Sequence, residues 1–371
     1  MNHESWVMDC VFWFMILSFS KKVKNSLKVH KIFFMACFVV VSFFVGFMLL
    51  FFNKQQIEIS NKNTIINSNI DNNKSLTSPI SGLECENYQK RPIAVMLSGD
   101  EITRPLSSIS QADLIVDMPI MKNGVNRLMA VFVCKEPLEI GSIRSARHDF
   151  IPLAISFDAI LVHWGGSHFA MDEIKKSTIN NIDAIYGHAW AFYRKQDFLP
   201  QPHNGFISFE RLKNAIEKLG YRQNNEFFRF SHCYNKEESC AKPGFSNVSK
   251  IIIDYPFLVK YIYNKQENNY YRWRNNKPEI DKNNGKQVKA SVVAILRTNI
   301  GQIDSQYNNV DVYGKGRLDL FQNNKHVVGS WSSMYNDFKR LYFLDNTGGE
   351  IELMPGQIWI QIVDMETKID F

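Results

Sequence analysis

Short apolar runs separated by turn-forming residues predict a strand-rich globular region in this chain. An amphipathic pattern over residues 208–219, which ends at Gly220, predicts a helix, and a second helix is predicted at 150–157. The predicted strands of the first half are 91–97, 114–120, 127–133 and 159–163. Because strands alternate with helices here, the sequence predicts an α/β or α+β domain over residues 84–230.

The pattern changes after residue 225, where short runs are rich in aromatic and β-branched residues. Turn sequences such as Asn283-Asn284-Gly285 separate these runs. The runs lie at 227–230, 250–254, 261–263, 270–273, 288–296, 316–321 and 358–363. Their spacing predicts a mostly antiparallel, β-rich C-terminal domain over residues 231–371.

An almost uninterrupted apolar segment at 32–52 is long enough to cross a bilayer, for which about 20 residues suffice. The lysine-rich leader at 1–31 predicts a cytoplasmic N-terminus. We therefore expect a single transmembrane helix at 32–52, with the following domains on the outer face of the cytoplasmic membrane. A cleaved signal peptide and a lipoprotein signal are the alternatives, although no cysteine follows the segment before Cys85.

Two further stretches surround this predicted anchor. The shorter apolar run at 6–19 is either an additional segment or the product of a start assigned upstream of Met15. Residues 53–83 are rich in Asn, Ser and Lys, a composition that cannot bury a core, and they predict a disordered tether.

Charge and cysteine content exclude some classes of function. Without residues 1–52 the chain has 38 basic and 35 acidic residues, so nothing indicates the concentrated basic face of a nucleic-acid-binding protein. No zinc-spaced cluster is present, and no metal or cofactor is predicted. An oxidising exterior permits disulfides. The pairing of Cys233 with Cys240 is favoured over that of Cys85 with Cys134, and free thiols are the alternative.

The segment Gly141–Arg147 is the strongest candidate for a binding site. It places Arg144 and Arg147 among small residues, and guanidinium groups suit planar anions such as carboxylate and phosphate. Histidines beside glycines follow in predicted strand ends or loops. The predicted ligand-binding residues are Arg127, Arg144, Arg147, His163, His203 and Asn204, and the histidines among them are also the candidates for a catalytic acid or base.

Each of these residues also has a structural explanation. The arginines could pair with acidic neighbours, His163 could be a hydrogen-bonded core histidine, and Asn204 could stabilise a turn. The candidate acidic partners are Asp113, Asp117, Asp149 and Asp158. A catalytic histidine would need a carboxylate or hydroxyl within about 3 Å, and the candidates near in sequence are Ser167, Asp172 and Glu173.

Several motifs, in order, resemble those of the YerB-like lipoproteins, a bacterial cell-surface family of unknown function. They are Arg91-Pro-Ile-Ala-Val-Met, Arg104-Pro-Leu with Ser110-Gln-Ala-Asp113, Asn126–Phe132, Gly141–Arg147, His163-Trp-Gly-Gly-Ser, Pro202-His-Asn, Tyr270-Tyr-Arg-Trp with Asp281, Gly314-Lys-Gly, Gly329-Ser-Trp and Leu353-Met-Pro-Gly-Gln-Ile-Trp-Ile. The resemblance covers about residues 90–365. It implies two domains, an extracytoplasmic location and a role in the cell envelope, but no established reaction.

The chain departs from the family pattern at three places. The stretch 118–124 lacks the family's glutamate, Ser98-Gly-Asp100 replaces an Asp-Asn-like sequence, and a predicted membrane span stands in place of the lipid-attachment cysteine.

Three functions are consistent with these residues. The first is binding of an anionic cell-wall component (a polymer, glycan or peptide) or of an envelope protein, in support or regulation of envelope biogenesis. The second is a hydrolase or lyase that acts on such a polymer with a histidine as acid or base. The third is a scaffold for wall-synthesis enzymes with a purely structural arginine network. No recognised catalytic motif is present, which favours binding over catalysis.

Overall fold

The structure is a computed structural model that describes residues 76–121, 124–196, 199–227, 229–234, 246–254, 257–333 and 340–371. The strands of the first half are β1 (Ile93–Ser98), β2 (Leu114–Pro119), β3 (Asn126–Phe132), β4 (Ile140–Gly141), β5 (Ile160–His163), β6 (Asn181–Asp183), β7 (Tyr193–Arg194) and β8 (Gly205–Ile207). Its helices are α1 (Phe150–Ser156), α2 (His168–Lys175) and α3 (Phe209–Lys218). Short 3-10 turns lie at Glu101–Thr103, Ile109–Gln111 and Ala189–Ala191.

The second half consists of strands wherever the structure describes regular elements. They are β9 (Lys250–Ile253), β10 (Val259–Asn264), β11 (Asn269–Arg274), β12 (Lys277–Pro278), β13 (Lys289–Ala290), β14 (Val292–Thr298), β15 (Ile300–Gln302), β16 (Asn308–Val310), β17 (Lys315–Gln322), β18 (Lys325–Ser332), β19 (Tyr342–Asp345), β20 (Ile358–Asp364) and β21 (Ile369–Asp370). The described chain is therefore mostly β-structure with few helices.

Most predicted elements are confirmed, including β1, β2, β3 and β5 and the helices α1 and α3. The strand predicted at 227–230 is wrong, because Phe227 and Phe230 pack into the core without pairing as a strand. Helix α2 was not predicted; its first turn is capped by Ser167, whose hydroxyl accepts a hydrogen bond from the amide of Ala170.

A ten-stranded mixed sheet contains strands from both halves of the chain. Its order is β19-β18-β17-β14-β20-β2-β3-β1-β5-β6. Within this sheet the halves meet at the parallel pair β2–β20, in which Leu114 lies opposite Ile358. Beside it, the side-chain amide of Gln357 donates to the carbonyl groups of Ile109 and Ala112. The two sequence halves thus share one continuous sheet.

Both faces of this sheet are covered, as its continuously apolar central strands require. On β1, Ala94 and Met96 point to the core that contains α1, whereas Val95 and Leu97 point to the opposite core. That second core contains α3 and the smaller sheet, of order β12-β11-β10-β9-β21 with β13 beside β11. The alternation follows from the two-residue period of a strand.

Two buried aspartates explain several of the sequence motifs by architecture alone. The carboxylate of Asp113 accepts hydrogen bonds from the hydroxyls of Ser78 and Ser81 and from two backbone amides. The carboxylate of Asp281 accepts from the amide and hydroxyl of Ser110 and from the amide of Ser108. Because donors of the protein itself satisfy these carboxylates, we infer that Asp113 and Asp281 stabilise the fold.

The structure contains a disulfide between Cys85 and Cys134, whose Cα atoms are 5.2 Å apart. The sequence favours the pairing of Cys233 with Cys240 over this one. Cys240, and with it the pairing with Cys233, lies outside the described residues. So do the leader, the apolar segments at 6–19 and 32–52, and the predicted tether as far as residue 75. Residues 76–83 of that stretch are described and pack on the fold, with Ile80 fully buried. Among the residues that are described, no helix has the length and apolar character needed to span a membrane.

Candidate anion site

The candidate site forms where the parallel strands β1 and β5 separate. These strands pair directly only at Ile93–Val95, and beyond that point the segment that follows β4 inserts between them. On one side the amide of Ser98 donates to the carbonyl of Ser142 at 2.9 Å, and the amide of Arg144 donates to the carbonyl of Met96 at 2.9 Å. On the other side the amide of Trp164 donates to the carbonyl of Arg144 at 3.1 Å. The arginine segment is thus fixed at the carboxyl ends of two parallel strands, where open sheets commonly bind ligands.

Asp100, just beyond the end of β1, lies at the centre of the basic cluster. Its Oδ2 atom is 3.9 Å from Arg127 NH1, 3.7 Å from Arg144 Nε and 3.7 Å from His203 Nδ1. The same oxygen accepts a hydrogen bond of 2.7 Å from the hydroxyl of Ser98. Strand pairing explains the arrangement, because Ser98 lies opposite Arg127 in the antiparallel β1–β3 ladder.

The cluster has more positive charge and more hydrogen-bond donors than its single acid can satisfy. Arg127 is only 2% exposed, yet its Nε and NH1 atoms have no hydrogen-bond partner among the described residues. The same holds for the Nε atoms of Arg144 and Arg147. Buried donors without acceptors are costly. Three guanidinium groups beside one carboxylate therefore form a place where a bound anion would be stabilised.

Burial and mutual repulsion shift the protonation equilibria of the cluster. The pKa of Arg127 is lowered well below its usual value, mainly by burial and then by the charges of Arg147 and Arg144. Burial alone would raise the pKa of Asp100, but the Ser98 hydroxyl and the neighbouring arginines lower it overall. Burial, followed by the charge of Arg144, lowers the pKa of His203. At neutral pH we therefore expect an ionised Asp100 and a neutral His203.

Arg147 connects the cluster to the second half of the chain. Its NH1 atom donates to the carbonyl of Ala146 at 2.9 Å, and its guanidinium lies 5.0 Å from the ring centroid of Tyr307. Tyr307 belongs to the connection between β15 and β16. It is a site neighbour that the sequence did not indicate, because nothing in the local pattern relates a turn tyrosine to an arginine 160 residues away.

Two predicted site residues have their polar atoms engaged inside the protein. His163 is fully buried, with Nδ1 2.8 Å from the carbonyl oxygen of Gly165 and Nε2 3.3 Å from Oδ1 of Asn181. Asn204 accepts a hydrogen bond from Arg194 and donates one to the carbonyl of Lys195. These contacts match the structural explanations of the two residues.

The carboxylate near a candidate histidine is not one of those proposed from the sequence. Ser167 caps α2, and Asp172 and Glu173 form exposed pairs with lysines on the same helix. The acid that lies beside His203 is Asp100 instead. The sequence feature that could indicate Asp100 is its position directly after a buried strand, because β1 ends at Ser98.

The acids proposed as structural partners of the arginines pair elsewhere. Asp113 accepts the serine hydroxyls described above, Asp117 pairs with Arg272 at 2.7 Å, and Asp149 pairs with His148 at 2.9 Å. Asp158 forms its ion pairs with Arg91 and Arg222. These pairs do not neutralise the cluster around Asp100.

Comparison with family models assigns both halves of the chain to one family. One family model, the N-terminal domain of a protein of unknown function (DUF3048), matches residues 80–222, and the model of the C-terminal domain of the same family matches residues 251–360. The chain belongs to the DUF3048 family.

A named relative and a solved structure confirm the resemblance to YerB. The chain is 28% identical over 301 residues to the Bacillus subtilis (strain 168) protein named "Putative lipoprotein YerB", a match that covers 79% of this chain and 88% of that protein. The crystal structure of the YerB protein from Bacillus subtilis superimposes with a TM-score of 0.71 at 26% identity, and covers 80% of this chain and 100% of that one.

Proposed function

We propose that this protein binds an anionic group of a cell-envelope polymer through Arg127, Arg144 and Arg147, on the outer face of the cytoplasmic membrane. One observation carries the proposal: three largely buried guanidinium groups lie around a single carboxylate, with donor atoms that lack acceptors in the described part of the chain. In the structural network of Asp113, by contrast, both carboxylate oxygens accept hydrogen bonds.

Charge balance favours a phosphoryl group as the ligand. Because arginine stays protonated in proteins, Arg127, Arg144 and Arg147 carry three positive charges against the one negative charge of Asp100, which leaves an excess of two. A phosphate monoester carries between one and two negative charges at neutral pH, and guanidinium groups bind its oxygens in a fork geometry. The location is supported by the lipoprotein name of the relative and by the apolar segment at 32–52.

The test is thermal melting of the full-length chain in detergent with inorganic phosphate, teichoic-acid fragments and muropeptides. A ligand at 100 times its dissociation constant should add about 2.7 kcal/mol to the free energy of unfolding. We expect stabilisation of the wild type and little or none of an Arg144→Gln, Arg147→Gln variant. Arg317→Gln is the matched control, because the Arg317 side chain is 54% exposed and outside the site.

If the double variant is folded and is stabilised as strongly as the wild type, the cluster is not the binding site. If no anion stabilises the wild type, the scaffold function with a structural arginine network replaces the proposal.

The second candidate function is hydrolysis of such a polymer, which the proximity of His203 to Asp100 favours, although their separation exceeds the about 3 Å of an orienting hydrogen bond. The Nδ1 atom of His203 is 3.7 Å from the carboxylate, and a neutral imidazole could accept a proton beside groups that stabilise negative charge. Turnover of a stabilising fragment that is abolished by His203→Gln, while binding is retained, would support catalysis. Binding without turnover would leave the first function.

A further inference from the structure

A cleft lies between the turn after β1 and the β11–β12 hairpin, outside the arginine cluster described above. It has a volume of about 390 Å³. Its charged lining residues are Glu101, Arg104, Arg274, Lys277 and Glu279. Pro105, Pro278 and Ile280 supply an apolar part of the wall. A cleft of this size, with charged groups beside an apolar wall, can hold a small ligand.

Arg274 is the group in this cleft whose charge is not balanced. It is 6% exposed, donates a hydrogen bond to the carbonyl of Gly99, and packs 4.0 Å from the ring centroid of Phe257. No described carboxylate lies within ion-pair distance of it, and its NH1 atom has no hydrogen-bond partner in the described residues. A buried guanidinium in this state calls for an acceptor.

The neighbouring buried charges balance one another and leave Arg274 as the excess. Arg272 pairs with both Asp117 and Glu279, and Arg104 contacts Glu279 at 3.0 Å. Two guanidinium groups thus face two carboxylates, and Arg274 adds one further positive charge. The pKa of Arg274 falls to about 9, mainly because of burial and then because of the charge of Arg104. A bound anion would stabilise the charged guanidinium and so raise its pKa again.

The amount of uncompensated positive charge in the cleft indicates which kind of anion it would bind. One uncompensated guanidinium, with the exposed Lys277 beside it and Glu101 in the same lining, matches a single negative charge better than a dianion. The apolar wall formed by Pro105, Pro278 and Ile280 requires an apolar portion next to that charge.

We propose that this cleft is a second binding site, which takes a single carboxylate attached to a small apolar group, as at the C-terminus of a peptide. Arg274 binds the carboxylate, and Lys277 attracts it at the rim. The site is independent of the phosphoryl group proposed for the arginine cluster, although the residues from Gly99 to Arg104 connect the two places along the chain.

The test uses N-acetylalanine as the probe and N-acetylalanine amide as the matched uncharged control. Binding to the full-length chain in detergent is followed by saturation-transfer difference NMR, which detects weak ligands. Lys277→Glu is the main variant, because Lys277 is exposed and its replacement leaves the core unchanged. Arg274→Gln tests the buried group, with its folding checked by thermal melting. Lys315→Glu, an exposed lysine on β17 that does not line the cleft, controls for the change in net charge.

We expect a saturable signal for the acid and none for the amide, with affinity at least fivefold weaker in Lys277→Glu and unchanged in Lys315→Glu. Equal signals from acid and amide would overturn the assignment, as would the same affinity in Lys277→Glu and the wild type. A folded Arg274→Gln variant that binds the acid as well as the wild type would overturn it too.

Discussion

Replacement of Asp100 by asparagine separates the structural contribution of the basic cluster from its capacity to bind an anion. Asparagine has nearly the same shape and can still accept the hydrogen bond from Ser98, but it removes the negative charge. That charge lies within 3.9 Å of Arg127 and within 3.7 Å of Arg144. Because the pKa of Asp100 is below its usual value, the wild-type group is ionised at neutral pH.

The change should lower stability and raise anion affinity. Two opposite charges about 4 Å apart interact by roughly 4 kcal/mol at an effective dielectric constant of 20. Hydration of the carboxylate, which is 18% exposed, offsets part of this attraction. We therefore expect the unliganded protein to lose about 2–3 kcal/mol of unfolding free energy. A phosphate held by the arginines would no longer be repelled by Asp100, so its affinity should rise by about 1–2 kcal/mol, or roughly tenfold.

The assay is urea unfolding of the full-length chain in detergent, with and without inorganic phosphate. Asp172→Asn serves as the control, because the Asp172 side chain is 64% exposed on α2 and its pair with Lys175 should contribute less than about 1 kcal/mol. Loss of phosphate binding in Asp100→Asn would refute the reasoning, since Asp100 would then contribute to binding rather than oppose it. Unchanged stability would equally refute it.

Three further outcomes test other parts of the fold. Burial lowers the pKa of His232 to about 4, so between about pH 6.5 and pH 4 only the unfolded chain gains this proton. Stability should fall by up to about 3 kcal/mol as pH drops through that range, and His232→Asn should flatten the curve measured by urea unfolding. Arg272→Met removes the guanidinium that pairs with buried Asp117 and Glu279 and should cost about 3–5 kcal/mol, against less than about 1 kcal/mol for exposed Arg317→Met; equal losses would contradict this. The disulfide of Cys85 and Cys134 spans 49 residues, so replacement of both by serine should cost about 2–4 kcal/mol in denaturant unfolding, and an unchanged midpoint would contradict that role.

Several strands of the central sheet could be predicted because they are largely apolar. Residues 93–98 and 114–119 are buried at every position, which produces the continuous hydrophobic runs seen in the sequence. The pairing of those strands could not be predicted. Nothing in the pattern of β20 indicates that it lies parallel to both β14 and β2, because an apolar strand specifies its burial and not its neighbour.

The arginines of the candidate site could be found from sequence spacing, but their central acid could not. Arg144 and Arg147 lie three residues apart in one segment, whereas Asp100 reaches them only because that segment inserts beside β1. Tyr307 is farther still along the chain. Contacts of this kind depend on tertiary structure, so sequence alone identified the basic half of the cluster and missed the groups that face it.

The motif residues of this chain differ in whether all of their polar atoms have hydrogen-bond partners. Asp113 and Asp281 receive several hydrogen bonds each, and His163 and Asn204 have partners at both polar ends, so their side chains are accounted for by the fold. Arg127 is also buried but has two donor atoms without acceptors in the described chain. A side chain that stabilised only the fold would lose free energy in this arrangement, whereas one that receives an anion would recover it on binding. The proposal therefore depends on the arginines, and the histidine beside them matters only if binding is followed by turnover.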